Sequence, residues 1–262
     1  MRLYGLPLAV ALLTALAAAA QQTAPPPPPP AAAPAPAKLD EYLRRWEQEM
    51  AKIESLAAQL NRIDKDKTFE RVDKFTGYAQ YMKSGKGPTA VNLAMLEMRL
   101  EGKTEVAEKV ICTGTFLYQF WPPQKEIRAY ELTKPSKPGA AADDNVLSFL
   151  LGMKAEEARR RYDLKLAKED QFYIYVDVAP RTPADKGEFQ RARLVLNKDS
   201  FLPRQLWFES PNNSEVTWDI PRVQTGVAIK REVFDKPQTP QGWKMVPVPR
   251  QDLPPRVARP NN

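Results

Sequence analysis

From residue 68 to residue 248 the chain falls into short runs in which apolar and polar residues alternate, each bounded by glycine, proline, asparagine or aspartate. A period of two puts successive side chains on opposite faces of an extended strand, so a chain written this way must build a sheet. The runs 68–83, 90–102 and 107–121 read as successive strands, separated by turn signals at 84–88 and 102–103. The run 90–102 has helical propensity, but its alternation leaves Ala94, Leu96, Met98 and Leu100 on one wholly apolar face. The Pro122-Pro123 pair predicts a hairpin turn, with 124–132 as its second arm. Further strands are expected at 170–180, at 189–210 as two strands joined by a turn at 197–200, at 214–224, at 227–234 and in the closing 242–248.

Two other patterns interrupt this period. Residues 39–60 carry Leu39, Leu43, Trp46, Met50, Ile53, Ala57 and Leu60 at alternating spacings of four and three, which predicts one long amphipathic helix followed by a charged connection. Asp143, Asp144 and Asn145 offer N-cap chemistry for a short apolar helix at 146–153, and a second short helix begins at 154. The fold class expected is α+β, with strands in the majority and a long N-terminal helix packed on the sheet.

The ends of the chain cannot belong to that core. Residues 1–20 combine an early positive charge at Arg2, a Leu/Ala/Val run and small residues at the end, the layout of a secretory signal peptide. The alternative is an uncleaved anchor, since 3–20 is mostly apolar. No cysteine follows the cut, so no lipid attachment is expected there. Residues 21–38 form a Pro/Ala-rich linker with eight prolines, which favours extended polyproline II and spans some 50 Å at about 3.1 Å per residue. Residues 249–262 read as a proline-rich, disordered tail, which leaves 39–248 as one domain. The location expected is periplasmic or secreted.

Composition narrows the chemistry. The 262 residues contain no histidine and a single cysteine, Cys112, so an internal disulfide, imidazole metal sites and His-based triads are excluded. Cys112 lies mid-strand with no base to activate it and reads as a small buried residue. The net charge of +7 is spread among acids rather than gathered in a patch, and no nucleic-acid partner is expected. The neighbouring carboxylates Asp143-Asp144 and Glu169-Asp170 sit where caps and turns want acids. No catalytic residue, metal or cofactor is assigned, and the chain is not expected to be an enzyme.

What remains is apolar surface on both faces of several strands. Phe116, Tyr118 and Phe120 oppose Leu117 and Trp121; Tyr173 and Tyr175 oppose Phe172 and Ile174; Trp207 opposes Leu206 and Phe208. Strands apolar on both faces need a cover or a ligand. A curved sheet closed by small helices would enclose an apolar cavity; an ordinary filled core satisfies the same pattern.

The order of elements resembles the LolA/LolB superfamily of periplasmic lipoprotein carriers, and within it the LolA-like secreted proteins of planctomycetes, over residues 39–248. Gly114, Leu117, Phe120, Pro122, Lys125 and Ile127 fall on a hairpin pattern like that family's. The glycine strand around Gly77, the lid-like run 145–152 and the strand pair around Leu202-Pro203 are similar as well. The resemblance implies a curved, unclosed antiparallel β-barrel, a half-barrel, with short lid helices and a lipophilic ligand such as lipoprotein acyl chains or another lipid. The candidate cavity lining is Leu96, Met98, Phe116, Tyr118, Phe120, Leu147, Phe149, Leu150, Tyr173, Tyr175 and Trp207, and a one-residue error in facing would swap the set. The alternative is an envelope protein-interaction or regulatory module on the same fold without lipid transfer; membrane contact would be transient unless the signal stays uncleaved.

Overall fold

The computed structural model describes residues 35–85, 90–132 and 155–248. Outside these lie the signal-like segment, residues 21–34 of the linker, the tail and the expected lid helix, with Leu147, Phe149 and Leu150.

Helix α1 (Ala35–Ala51) opens the described chain, starting inside the range assigned to the linker. Its Leu39, Leu43, Trp46 and Met50 form the expected buried stripe. The helix ends well short of residue 60. Lys52 and Ile53 close it with tight bonds to the carbonyls of Glu49 and Met50, and Ser55 begins a strand, β1 (Ser55–Asp66). Residues 53–60 satisfy the helical spacing and the strand alternation at once, and two charged residues hide the continuation. Arg62 and Asp64 point inward in β1. The Arg62 guanidinium lies between the rings of Phe75 and Trp218, at 4.3 and 4.9 Å, and its Nη1 donates to Glu108 at 2.5 Å. A charge so paired and stacked tolerates burial, so a segment that reads as a polar connection is a core strand.

The remaining strands are β2 (Arg71–Ser84), β3 (Val91–Leu100), β4 (Val106–Cys112), β5 (Phe116–Trp121), β6 (Glu126–Glu131), β7 (Tyr162–Glu169), β8 (Tyr173–Pro180), β9 (Arg191–Asn197), β10 (Pro203–Glu209), β11 (Glu215–Thr225) and β12 (Lys244–Val248). Two short helices, α2 (Ala155–Arg161) and α3 (Pro183–Glu188), flank β7 and β8. The strands form one sheet in the order β12-β6-β5-β4-β3-β2-β1-β11-β10-β9-β8-β7. Every neighbouring pair is antiparallel except β12, which runs parallel to β6. The edge strands β12 and β7 do not pair, so the sheet curves without closing.

The run 107–121 is two strands rather than one. Gly114, at φ +88°, turns the chain back, and a Cβ there would stand 2.9 Å from the Val91 side chain. The Thr113 hydroxyl accepts from the amide of Phe116 and braces the turn. Residues 227–234, expected as a strand, instead run across the sheet and tighten into a 3₁₀ turn at Arg231–Phe234.

Two cores result, one on each face. The inward face packs α1 against the aliphatic sides of β1, β2, β3 and β7 to β11. On the outward face of β3 to β6, the segment after β11 covers Leu93, Met95, Ile111, Tyr118 and Ile127 with a fully buried Phe234.

Candidate functional site

The described residues do not fill the inward face everywhere. A cavity of about 80 Å³ lies against β1 to β5, β10 and β11, lined by residues that include Leu56, Ala58, Leu60, Leu96, Val110 and Leu117. Leu132, Leu202, Pro203, Ile220 and Val223 also border it, and no residue of α1 does. Where one water-sized body takes about 10–15 Å³, this is room for a short string of methylene-sized groups. No Asp, Glu, Lys or Arg lines it among the described residues.

Its polar groups are few. The Tyr81 hydroxyl donates to Asn92 Oδ1 at 2.9 Å, and both residues are buried. Burial pushes the Tyr81 phenol far up, aided by the Glu54 carboxylate, so the hydroxyl keeps its proton. Cys112 is a free, buried thiol whose Sγ lies 3.6 Å from the carbonyl oxygen of Asn92. Burial pushes its pKa up as well, which suits a thiol that is a wall residue rather than a nucleophile.

Of the residues expected to line the cavity, Leu96 does so. Met98 shares its inward face but is fully buried in the α1 core, beyond the cavity wall. Phe116, Tyr118 and Phe120 sit on the outward face, in the second core, where the Trp243 ring lies 6.0 Å from that of Phe120. The turn at Gly114 explains the exchange. It pairs Cys112 with Leu117, so odd-numbered residues of β5 share the face of even-numbered residues of β4. Reading 107–121 as one strand put the aromatics on the wrong side.

Tyr173 and Tyr175 also face outward, because Ile174, Val176 and Val178 are the buried side of β8. Tyr175 donates to Asp170 at 3.0 Å, with Lys168 Nζ over its ring at 4.9 Å. Trp207 lies opposite the buried Leu206, beneath Arg191.

The Glu169-Asp170 pair is structural. Glu169 accepts from Lys38 and Tyr42 of α1, both at 2.7 Å, and from Lys198 at 3.0 Å. Those bonds, that to Lys38 foremost, hold its carboxyl at about 2. Asp170 accepts from the amides of Phe172 and Tyr173 and so caps the β7–β8 turn. Asp143 and Asp144 lie outside the described residues.

Sequence reasoning missed Leu56, Ala58 and Leu60, absorbed into the helix, together with Tyr81, Asn92 and Cys112. The alternation of β2 and β3 carried the signal for Tyr81 and Asn92, since each is in step with Ala79 or Leu96 on the inward face.

No protein-family model matches the chain, and no curated protein matches it. Among solved structures, an uncharacterized conserved protein from Thermus thermophilus is similar over 80% of this chain and 99% of its own, at 11% identity and a TM-score of 0.50. Proteins of the LolA superfamily are also among the neighbours. A LolA superfamily protein from Nitrosomonas europaea covers 75% of this chain and 97% of its own, at 10% identity and a TM-score of 0.36. The lipoprotein LppX from Mycobacterium tuberculosis covers 74% and 99%, at 10% identity and a TM-score of 0.40. These are likenesses of fold alone.

Proposed function

We propose that this chain is an exported, non-enzymatic binding protein that holds a lipophilic group, such as an acyl chain, in the cavity on the inward face of its half-barrel. One observation carries the reading: an apolar cavity without a lining charge among the described residues lies in a sheet whose opposite face is already filled by its own C-terminal segment. A space that the described residues leave open favours an apolar guest, at about 25 cal/mol for each Å² of apolar surface removed from water. Export rests on the signal-like residues 1–20 and the proline-rich segment after them. A proton-retaining thiol and a phenol held by an amide supply neither nucleophile nor base, which supports binding rather than catalysis.

Native mass spectrometry of the purified protein tests this directly. The expected result is a co-purifying acyl or lipid mass, or, after delipidation, uptake of N-phenyl-1-naphthylamine with enhanced fluorescence. Cys112, the only thiol, gives an internal reporter, because a bound lipophile should slow its modification by N-ethylmaleimide. A clean apo mass together with no probe uptake and no protection of Cys112 would overturn the proposal.

A further inference from the structure

One end of the cavity is backed by charge. Among the described residues, its lining stops in that direction at Leu60 on β1, Leu96 on β3 and Val110 on β4. The next inward residues on those strands are Arg62, Met98 and Glu108. Met98 is fully buried. Arg62 reaches from β1 past β2 and β3 to donate to Glu108 on β4 at 2.5 Å, with its guanidinium between the rings of Phe75 and Trp218. The pair forms a bar across the inward face. In the other direction the lining reaches strand ends: Leu56, Asn92 and Leu117 are the second residues of β1, β3 and β5, and Cys112 is the last of β4.

We infer that the cavity is a ruler for a single alkyl chain: about five to eight carbons enter, the terminal methyl group stops against Leu60, Leu96 and Val110, and the head group stays at the strand ends. This rests on the reading of the cavity as a lipophile site. The length follows from its volume of about 80 Å³, at about 10–15 Å³ for each small group. A longer chain cannot gain by going deeper. It would have to break a buried ion pair, a loss that one more buried methylene does not offset. Space for so few groups takes one chain end, so single-chain amphiphiles are selected over lipids that must bury two or three chains together. The phenyl ring of N-phenyl-1-naphthylamine falls within the same length.

The test reads the affinity of 1-alkanols, from butanol to dodecanol, for the full chain as the concentration that halves the rate of Cys112 modification by N-ethylmaleimide. Kd should fall about fourfold for each added carbon up to a length of about five to eight, and stay level beyond it. Ala79 lies inward on β2 between Ala58 and Leu96 and borders the cavity, so Ala79→Leu should bring the break down by about three carbons. Leu60→Ala should move the break up by about as much, and the Ala79 variant keeps the inference testable if Leu60→Ala fails to fold. Dihexanoylphosphatidylcholine should bind no more than about twofold tighter than its single-chain hexanoyl counterpart, the advantage of having either chain to insert. Fourfold gains that continue through dodecanol, or a break that neither variant moves, would overturn the ruler and leave the cavity reading standing. A far tighter two-chain lipid would overturn the single-chain selection. No protection by any alkanol, with no probe uptake, would overturn the cavity reading and this inference with it.

Discussion

Filling the cavity from within is the sharpest perturbation available. Ala94 lies on the inward face of β3, directly across from Tyr81 on β2 and Cys112 on β4, and all three border the cavity. Ala94→Phe would project a ring into space that no side chain of the described residues occupies. If the ring takes the room of about four methylenes, it removes about 3 kcal/mol of guest binding at ~0.8 kcal/mol per methylene, which is roughly two-hundred-fold in Kd. The same ring gains burial it lacks in water, so the variant should be no less stable than wild type. A gain of ~1 kcal/mol would raise Tm by about 2–4 °C for a domain of this size.

Two measurements on one protein sample decide the matter: a probe titration and a thermal melt. The expected pair is a lost probe signal with an equal or higher Tm. A variant that folds and melts as the wild type does, yet takes up the probe with unchanged affinity, would show that the guest site is elsewhere. A variant that loses several degrees would show that the space is a packed core rather than a cavity.

Phe234 is fully buried in the outward core, so Phe234→Ala should cost about 3–5 kcal/mol in a denaturant melt while leaving probe affinity nearly unchanged in the folded fraction. At Gly77 an added Cβ would stand 2.0 Å from the Glu97 carbonyl oxygen and 2.5 Å from Met98 Sδ, so Gly77→Ala should destabilise by about 1–3 kcal/mol or more, read in the same melt. Glu169 has its carboxyl pKa lowered from 4.5 to about 2, so its stabilisation is complete above pH 4.5 and is lost as pH falls from there toward 2. Because the group is partly exposed, that contribution is about 1 kcal/mol, and Glu169→Gln should flatten the stability profile across this window; an unchanged acid limb would refute the role of the Lys38–Tyr42–Lys198 cluster.

Much of the sheet was legible from period two alone. β2, β3, β6 and the β9–β10 pair lie close to where alternation and turn residues put them, because a half-buried strand cannot hide its parity. The losses have separate physical causes. β1 was lost because its inward face carries Arg62 and Asp64, whose burial depends on Phe75, Trp218 and Glu108 from other strands. No local pattern announces a charge neutralised by tertiary partners. The division of 107–121 was lost because the Thr113-Gly114-Thr115 turn sits between two apolar runs of matching parity. The 3₁₀ turn at Arg231–Phe234 was lost because residues 227–234 alternate like a strand while crossing over one.

The two largest differences from expectation belong together. Had the helix continued to Leu60, then Ile53, Ala57 and Leu60 would have extended its apolar stripe over the inward face, and little open space would be left beneath it. Instead α1 stops at Ala51, the chain turns back at Ile53, and Leu56, Ala58 and Leu60 become part of the wall. The segment read as the end of a helix packed on the sheet is thus part of the sheet itself. On the other face, the aromatics read as the wall are buried by the C-terminal segment, so the bulky residues stabilise the sheet from behind. The cavity is left mostly to small and aliphatic side chains. That division gives the sheet hydrophobic support on its outward face that does not depend on how the cavity is filled, since the C-terminal segment closes the second core by itself.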